Sequence, residues 1–211
     1  MSIVAEIKAF TQKGQASKVK DLVQEALNQG IEVDNILQQG LIAAMTEVGE
    51  QFTRGEIYVP EMLIAARAMQ QGLKILEPLL AEAGIEKLGK IVMGTVKGDL
   101  HDIGKNLVCM MLQGAGMEVI DLGVDVTPEK FVAAVKEHNP QIVGLSALLT
   151  TTMPYMKLTI DELAKNGLRE KVKVLIGGAP VTEKFAEQIG ADGYAANAGE
   201  AAGLVKKLLA I

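Results

Sequence analysis

The stretch IVMGTVKGDLHDIGK, residues 91–105, decides the fold: an apolar run from Ile91 to Val96 breaks into a polar loop that carries His101 and then enters a helical pattern. A run this short, bounded by a glycine-containing loop, reads as a strand buried on both faces rather than as a helix. Further runs follow at Glu118 to Leu122, Ile142 to Leu145, Val172 to Ile176 and Gly193 to Ala196. Helical patterns alternate with them at Ile103 to Gly114, Pro128 to His138, Pro154 to Asn166, Glu183 to Ile189 and Glu200 to Leu209. This alternation predicts a flavodoxin-like (Rossmann-type) five-stranded parallel sheet with helices on both faces. Ligands of such folds bind beyond the carboxyl ends of the strands, so the residues after each strand are the first candidates for a site.

Upstream of Lys90 the period is helical. Val19, Leu22, Val23, Ala26 and Leu27 share one face, and Gly30 supplies the stop. Asp34 is placed to cap a third helix with an apolar stripe of Leu37, Leu41, Ala44, Met45, Val48 and Phe52. After the turn Thr53-Arg54-Gly55, a fourth helix starts at Pro60 and carries Met62, Ala66, Met69, Leu73, Leu76 and Leu80 down one side, with Pro78 expected to bend or fray its last turn. These segments predict an N-terminal four-helix bundle over residues 1–86, a linker from Ala83 to Lys90, and the α/β domain over residues 90–211.

Composition narrows the function. The chain has 211 residues, 49% hydrophobic and 22% charged, as expected of a soluble globular protein. With Lys+Arg 21 against Asp+Glu 26 and a formal net charge of -5, it lacks the basic face that nucleic acid requires. No apolar run is long enough for a signal peptide or a membrane span, so a cytoplasmic protein without a membrane partner is expected. One cysteine, Cys109, allows no internal disulfide and sits in an apolar segment that reads as buried structure. One Cys and two His, without HExxH or CxxC spacing, argue against a zinc enzyme. Aromatic content of 3% without Trp weakens any stacking platform for bases.

The loops after the strands hold the candidate chemistry. A neutral His101 can bind a metal through one ring nitrogen while the other donates to a carboxylate, and Asp99 is the natural partner. Gly98 and Gly104 let the backbone approach a bulky ligand. Ser146 to Thr152 brings hydroxyls to the end of the third strand, and Gly177-Gly178 leaves room for something flat at the end of the fourth. Thr150 to Thr152 also reads as a helix cap before Pro154, Gly177-Gly178 as a plain turn, and His138 as a surface residue at a helix end. Nothing pairs a nucleophile with a base, and no phosphate-binding glycine loop is present. The set suits a bulky, metal-bearing cofactor.

Asp99-x-His101-x-x-Gly104, then Ser146-x-Leu148, then Gly177-Gly178, each at a predicted strand end, resembles the three-part signature of the cobalamin-binding domains of methionine synthase and the B12-dependent mutases. The resemblance implies cobalamin or a related corrinoid, carried as methylcobalamin, with His101 as the axial cobalt ligand and Asp99 as its hydrogen-bond partner. It implies that Ser146, Thr150 and Gly178 line the slot for the nucleotide tail. It extends the cofactor contacts to Gly98, Leu100, Asp102, Gly104, Leu148, Gly177 and Ala198. Where methionine synthase completes a relay from Asp and His with a serine, this chain has Thr152.

Gly55 to Leu63, followed by a long helix, is similar to the cap domain of methionine synthase and of small corrinoid proteins. That similarity implies a bundle that shields the upper face of the cofactor, with Tyr58, Met62 or Leu63 near the methyl group and a hinge between Gly84 and Gly89. With no substrate domain, the chain is expected to be a carrier. It would accept a methyl group from a donor methyltransferase, pass it to an acceptor methyltransferase serving tetrahydrofolate or a thiol carrier, and depend on a reductive activase, with proton movement along His101, Asp99 and Thr152. Overall resemblance leans towards an aryl methyl ether or betaine donor. Two other readings are a cobalamin-dependent sensor, which usually carries a DNA-binding module, and the small subunit of a mutase, which lacks the cap. Methyl transfer on adding partners, against a light-triggered change of oligomeric state, separates carrier from sensor.

Overall fold

The computed structural model describes residues 2–85 and 87–210. Glu86, at the expected end of the bundle and within the expected hinge, lies outside the described residues. The chain divides into two compact units, Met1–Lys87 with Gly114–Gly116, and Leu88–Gln113 with Met117–Ile211.

Among the described residues the first unit contains α1 (Ile3–Gln12), α2 (Ala16–Asn28), α3, and α4 (Val59–Glu82). Ser2 caps α1, its hydroxyl accepting from the Ala5 N–H at 3.3 Å. The third helix, α3, starts at Val33–Asn35, widens into π-helical turns over Ile36–Ile42 and returns to α-helix over Ala43–Thr53. Its N-cap is Glu32 rather than the expected Asp34, which lies inside the first turn and accepts from Gln38 Nε2 at 3.4 Å. Glu61 accepts from the Tyr58 N–H at 3.1 Å and so caps α4. The last turn of α4 does not fray at Pro78: the helix runs on to Glu82, and the Ala83 N–H closes it on Leu79 O at 2.9 Å. Pro78 and Lys74 are exposed, so water can satisfy the Lys74 carbonyl that the proline cannot bond. Ile7, Val19, Val23, Ile36, Leu41, Met45, Met62 and Leu76 are buried. A β-carbon at Gly72 of α4 would press to 3.1 Å from both Leu41 Cδ1 and Val19 Cγ1, so the glycine lets three helices meet closely.

The second unit is a 5-stranded sheet of order β2-β1-β3-β4-β5, with every pairing parallel. Its strands are β1 (Lys90–Thr95), β2 (Glu118–Asp121), β3 (Ile142–Ser146), β4 (Lys173–Gly177) and β5 (Gly193–Ala195). The helices are α5 (Ile103–Gly114), α6 (Pro128–His138), α7 (Pro154–Lys165), α8 (Glu183–Ile189) and α9 (Ala198–Leu209). On one face Val92, Val143, Val174 and Ile176 share a core with Phe131 and Val135 of α6, Met156 and Leu163 of α7, and Ile189 of α8. Ile91, Met93 and Leu175 alternate to the opposite face and are buried too, which explains why these strands read as continuous apolar runs. No helix among the described residues is long and apolar enough to cross a membrane.

Register aligns the carboxyl ends: Thr95 pairs with Ser146, Ser146 with Gly177, and Gly177 with Ala195. The chain leaves β1 towards β2 on one side and returns to β3 on the other, so a topological switch point lies between β1 and β3.

Candidate functional site

The loop after β1 and the loop after β3 meet at that switch point, joined by one carboxylate. Asp99 is 0% exposed and accepts five hydrogen bonds. Oδ1 takes the His101 N–H at 3.1 Å and His101 Nδ1 at 2.7 Å. Oδ2 takes the N–H of Leu148 at 2.8 Å, the N–H of Leu149 at 3.2 Å and the Thr152 hydroxyl at 2.7 Å. Burial alone, the largest influence, pushes the carboxyl up; the bonds from Thr152, Leu148 and His101 together outweigh it and hold the group well below the usual carboxylate range. Asp99 is therefore an ionised acceptor. A carboxylate can only accept, so the proton shared with the imidazole sits on His101 Nδ1, and in the neutral ring Nε2 carries the lone pair.

His101 itself is half exposed, and no hydrogen bond reaches its Nε2 among the described residues. Its carbonyl accepts from the buried Thr95 hydroxyl at 2.9 Å, which ties the loop back to the last residue of β1. Around the imidazole the chain exposes large apolar side chains: Leu100 is 72% exposed and Ile103 76%, with Leu148 and Leu149 also exposed. Leucines and isoleucines held out to solvent beside one oriented ring nitrogen suit a broad, largely apolar ligand that offers a metal. No group of three or more His, Cys, Asp or Glu that could hold a metal ion occurs among the described residues.

The other expected contacts are distributed as follows. Gly98 takes a φ of 79°, and Gly104, in the first turn of α5, has open space where a β-carbon would project. Asp102 is exposed and accepts from Asn106 Nδ2 at 3.0 Å. Ser146 closes β3, and Thr150 is exposed on the loop beyond it. Gly178 has a φ of 131°, and a β-carbon there would overlap the Ala147 carbonyl oxygen; one at Gly177 would approach Ala195 O to 3.1 Å. The pair is thus required for close approach of β3, β4 and β5, which goes beyond a plain turn. Ala198 opens α9 behind the Asn197 cap. Thr152 is no helix cap: Met153 occupies the N-cap of α7 and Thr152 turns to Asp99. In the first unit Tyr58 is 70% exposed and Leu63 partly exposed, whereas Met62 is fully buried, since it belongs to the same inward stripe as Ala66 and Met69.

Sequence reasoning missed Thr95 and Asp125. Asp125, with a φ of 52°, lies on the loop after β2; its Oδ1 accepts from the Gly98 N–H at 2.7 Å and its own N–H donates to Asp99 O at 3.0 Å. The only advance signal was an aspartate beside Gly123 at a strand end, a residue type that tolerates left-handed backbone.

The fold and this site define a class of protein in which loops at the carboxyl edge of a parallel sheet present one oriented histidine beside exposed apolar side chains. The chain belongs to the B12-binding domain family, whose pattern it matches over residues 89–203, with a second family of the same description matched over residues 4–77. The cofactor is cobalamin or a related corrinoid. The chain is 48% identical over 195 residues to dimethylamine corrinoid protein 1 of Methanosarcina acetivorans, covering 90% of this chain and 92% of that one. A cobalamin-binding protein from Desulfitobacterium hafniense matches in structure with a TM-score of 0.81 at 34% identity, over 97% of this chain and 98% of that one. A chain of the methanol:cobalamin methyltransferase complex from Methanosarcina barkeri matches with a TM-score of 0.88 at 30% identity, over 99% of this chain and 80% of that one.

Proposed function

We propose that this protein is a methyl carrier: it holds a corrinoid whose cobalt His101 would ligate, and it serves a donor and an acceptor methyltransferase in turn. The observation that carries the reading is the Asp99–His101 pair, 2.7 Å apart and surrounded by exposed Leu100, Ile103, Leu148 and Leu149. The bound corrinoid supplies a cobalt centre that takes up a methyl group and gives it up again. Asp99 holds the proton on Nδ1, so Nε2 is the atom that would ligate, and Thr152 and the Leu148 N–H keep Asp99 ionised. Leu100 and Ile103, on either side of His101 in the chain, are exposed, and Gly104 has open space where a β-carbon would project. Ser146, Thr150, Gly177, Gly178 and Ala198, at the strand ends, would hold the nucleotide tail.

Residues 1–86 form the cap and residues 90–211 the cobalamin-binding domain, and at the start of α4 Tyr58 and Leu63 are exposed whereas Met62 is buried. Partners are a donor methyltransferase, an acceptor methyltransferase for tetrahydrofolate or a thiol carrier, and a reductive activase, all in the cytoplasm. Kinship with dimethylamine corrinoid proteins shifts the first donor to test from aryl ethers or betaines to a methylamine.

The test is to load the full chain with cob(II)alamin and record its electron paramagnetic resonance. With a corrinoid that lacks its own base, a nitrogen ligand signature should be present in the wild type and absent in His101→Ala. An unchanged signal in His101→Ala would refute the reading.

A further inference from the structure

We infer that Asp125 is a positioning residue for His101, a clasp from the neighbouring β2–α6 loop that sets the direction of the Asp99 carboxylate. The inference rests on the assignment of His101 as the ligand, and extends it to a residue outside the three-part motif.

This one residue holds the backbone before and after Asp99, at the Lys97–Gly98 and Asp99–Leu100 peptide units. Asp125 Oδ1 accepts from the Gly98 N–H at 2.7 Å, and the Asp125 N–H donates to the Asp99 carbonyl at 3.0 Å. Gly98 and Asp125 both adopt positive φ, 79° and 52°, so two adjacent loops leave the ordinary backbone regions in order to meet. The meeting is reinforced just below: Val96 bridges Val126 in parallel, the Thr95 N–H donates to Gly123 O at 3.0 Å, and the Val126 N–H donates to Thr95 O at 3.0 Å. With Thr95 Oγ1 on the His101 carbonyl, the loop is fixed before, at and after Asp99.

Asp99 must reach two places at once, His101 on its own loop and the Leu148 N–H on the next, and a backbone free to pivot at Gly98 would lose one of them. Asp125 is exposed, so its side chain adds little to the core, and water can satisfy Gly98 if the carboxylate is removed. What is lost is then direction more than folding stability.

Two variants separate these effects. Asp125→Gly tolerates the positive φ and keeps the main-chain bond to Asp99 O, removing only the side-chain acceptor. Asp125→Asn keeps both the acceptor and tolerance of the φ. In the cofactor-free chain, the Gly98 amide of Asp125→Gly should exchange roughly tenfold faster, the size expected for one hydrogen bond. The proton resonance of His101 Nδ1–H should broaden into solvent exchange, while Asp125→Asn matches the wild type in both and the thermal midpoint of each variant stays put. With cob(II)alamin, Asp125→Gly should show a reduced share of the nitrogen-ligated form. Wild-type Gly98 exchange and an unshifted His101 resonance in Asp125→Gly would overturn the clasp, as would equal losses in Asp125→Asn. If instead the wild type itself shows no nitrogen ligand, the carrier reading falls, and the cofactor-free measurements still decide whether Asp125 orients the Asp99–His101 pair.

Discussion

Thr152 Oγ1 stands 2.7 Å from Asp99 Oδ2, the carboxylate oxygen opposite to the one that His101 Nδ1 meets at 2.7 Å. The hydroxyl also lies 2.9 Å from Leu149 O, so its single proton has two acceptors, and the charged one is favoured. Replacing Thr152 by Val keeps the shape and removes the donor from a buried carboxylate. Urea unfolding of the cofactor-free chain should register a loss of about 1–3 kcal/mol for Thr152→Val. Thr152→Ser, which retains the hydroxyl, should stay close to the wild type, and equal losses in the two variants would deny the bond its role.

Acid should remove the contribution of Asp99 in a defined direction. Its carboxyl is held below the ordinary value of 3.8, so the folded state favours the ionised form. The stabilisation from this group is complete above the unfolded value and fades as pH falls through the folded one. The stability difference between the cofactor-free wild type and Asp99→Asn should be constant from neutrality down to about pH 5 and shrink progressively below about pH 4. Denaturation midpoints across that range provide the check; a gap that widens in acid contradicts the assignment of Asp99 as an ionised acceptor.

The central strands β1, β3 and β4 were legible because burial on both faces writes itself as apolar runs, and α5, α6 and α8 begin and end where the helical pattern placed them. The motif residues were legible because register aligns their strand ends, Thr95 with Ser146 and Ser146 with Gly177. What stayed hidden depended on local geometry that periodicity does not carry. The π-helical turns at Ile36–Ile42 leave the stripe through Leu37 and Leu41 at spacings that an α-helix shares. Thr152 read equally well as a cap, until the start of α7 at Pro154 behind Met153 left its hydroxyl to Asp99. Asp125 carries no spacing signal, because its partners lie on another loop brought near only by the parallel pairing of β1 and β2.

Two glycines of the motif should answer substitution in opposite ways. Ala at Gly178 would drive a β-carbon into the Ala147 carbonyl at a φ of 131°, so the strand ends must part. A loss of about 2 kcal/mol or more is expected in the cofactor-free protein. Gly104 lies in the first turn of α5 with nothing near its missing side chain, and Gly104→Ala should stabilise the cofactor-free chain by up to about 1 kcal/mol. Corrinoid affinity, measured by equilibrium titration, should fall in both. A Gly104→Ala variant that binds as tightly as the wild type would show that the open space serves no ligand.

The pair of Lys105 and Asp121 predicts an asymmetry that Cys109 can report. The Lys105 side chain is 1% exposed and bonds Asp121 Oδ2 and, at 2.7 Å, Asn106 Oδ1, while Asp121 is 38% exposed and also accepts from the Gly123 N–H at 2.9 Å. Deleting Asp121 strands a buried ammonium with one neutral acceptor, whereas Lys105→Met removes the charge and leaves an aspartate that water can reach. Asp121→Ala should therefore cost about 3 kcal/mol and Lys105→Met much less, with the double variant recovering part of the loss. The Cys109 thiol is pushed up to about 12, first by burial and then by the charge of Asp121, with Lys105 opposing. Removing Asp121 subtracts a raising influence and frees the lowering one. Thiol modification, negligible in the folded wild type, should quicken in Asp121→Ala and remain slow in Lys105→Met. Equal reactivity in the two variants under conditions where both are folded would show that Cys109 does not sense this pair.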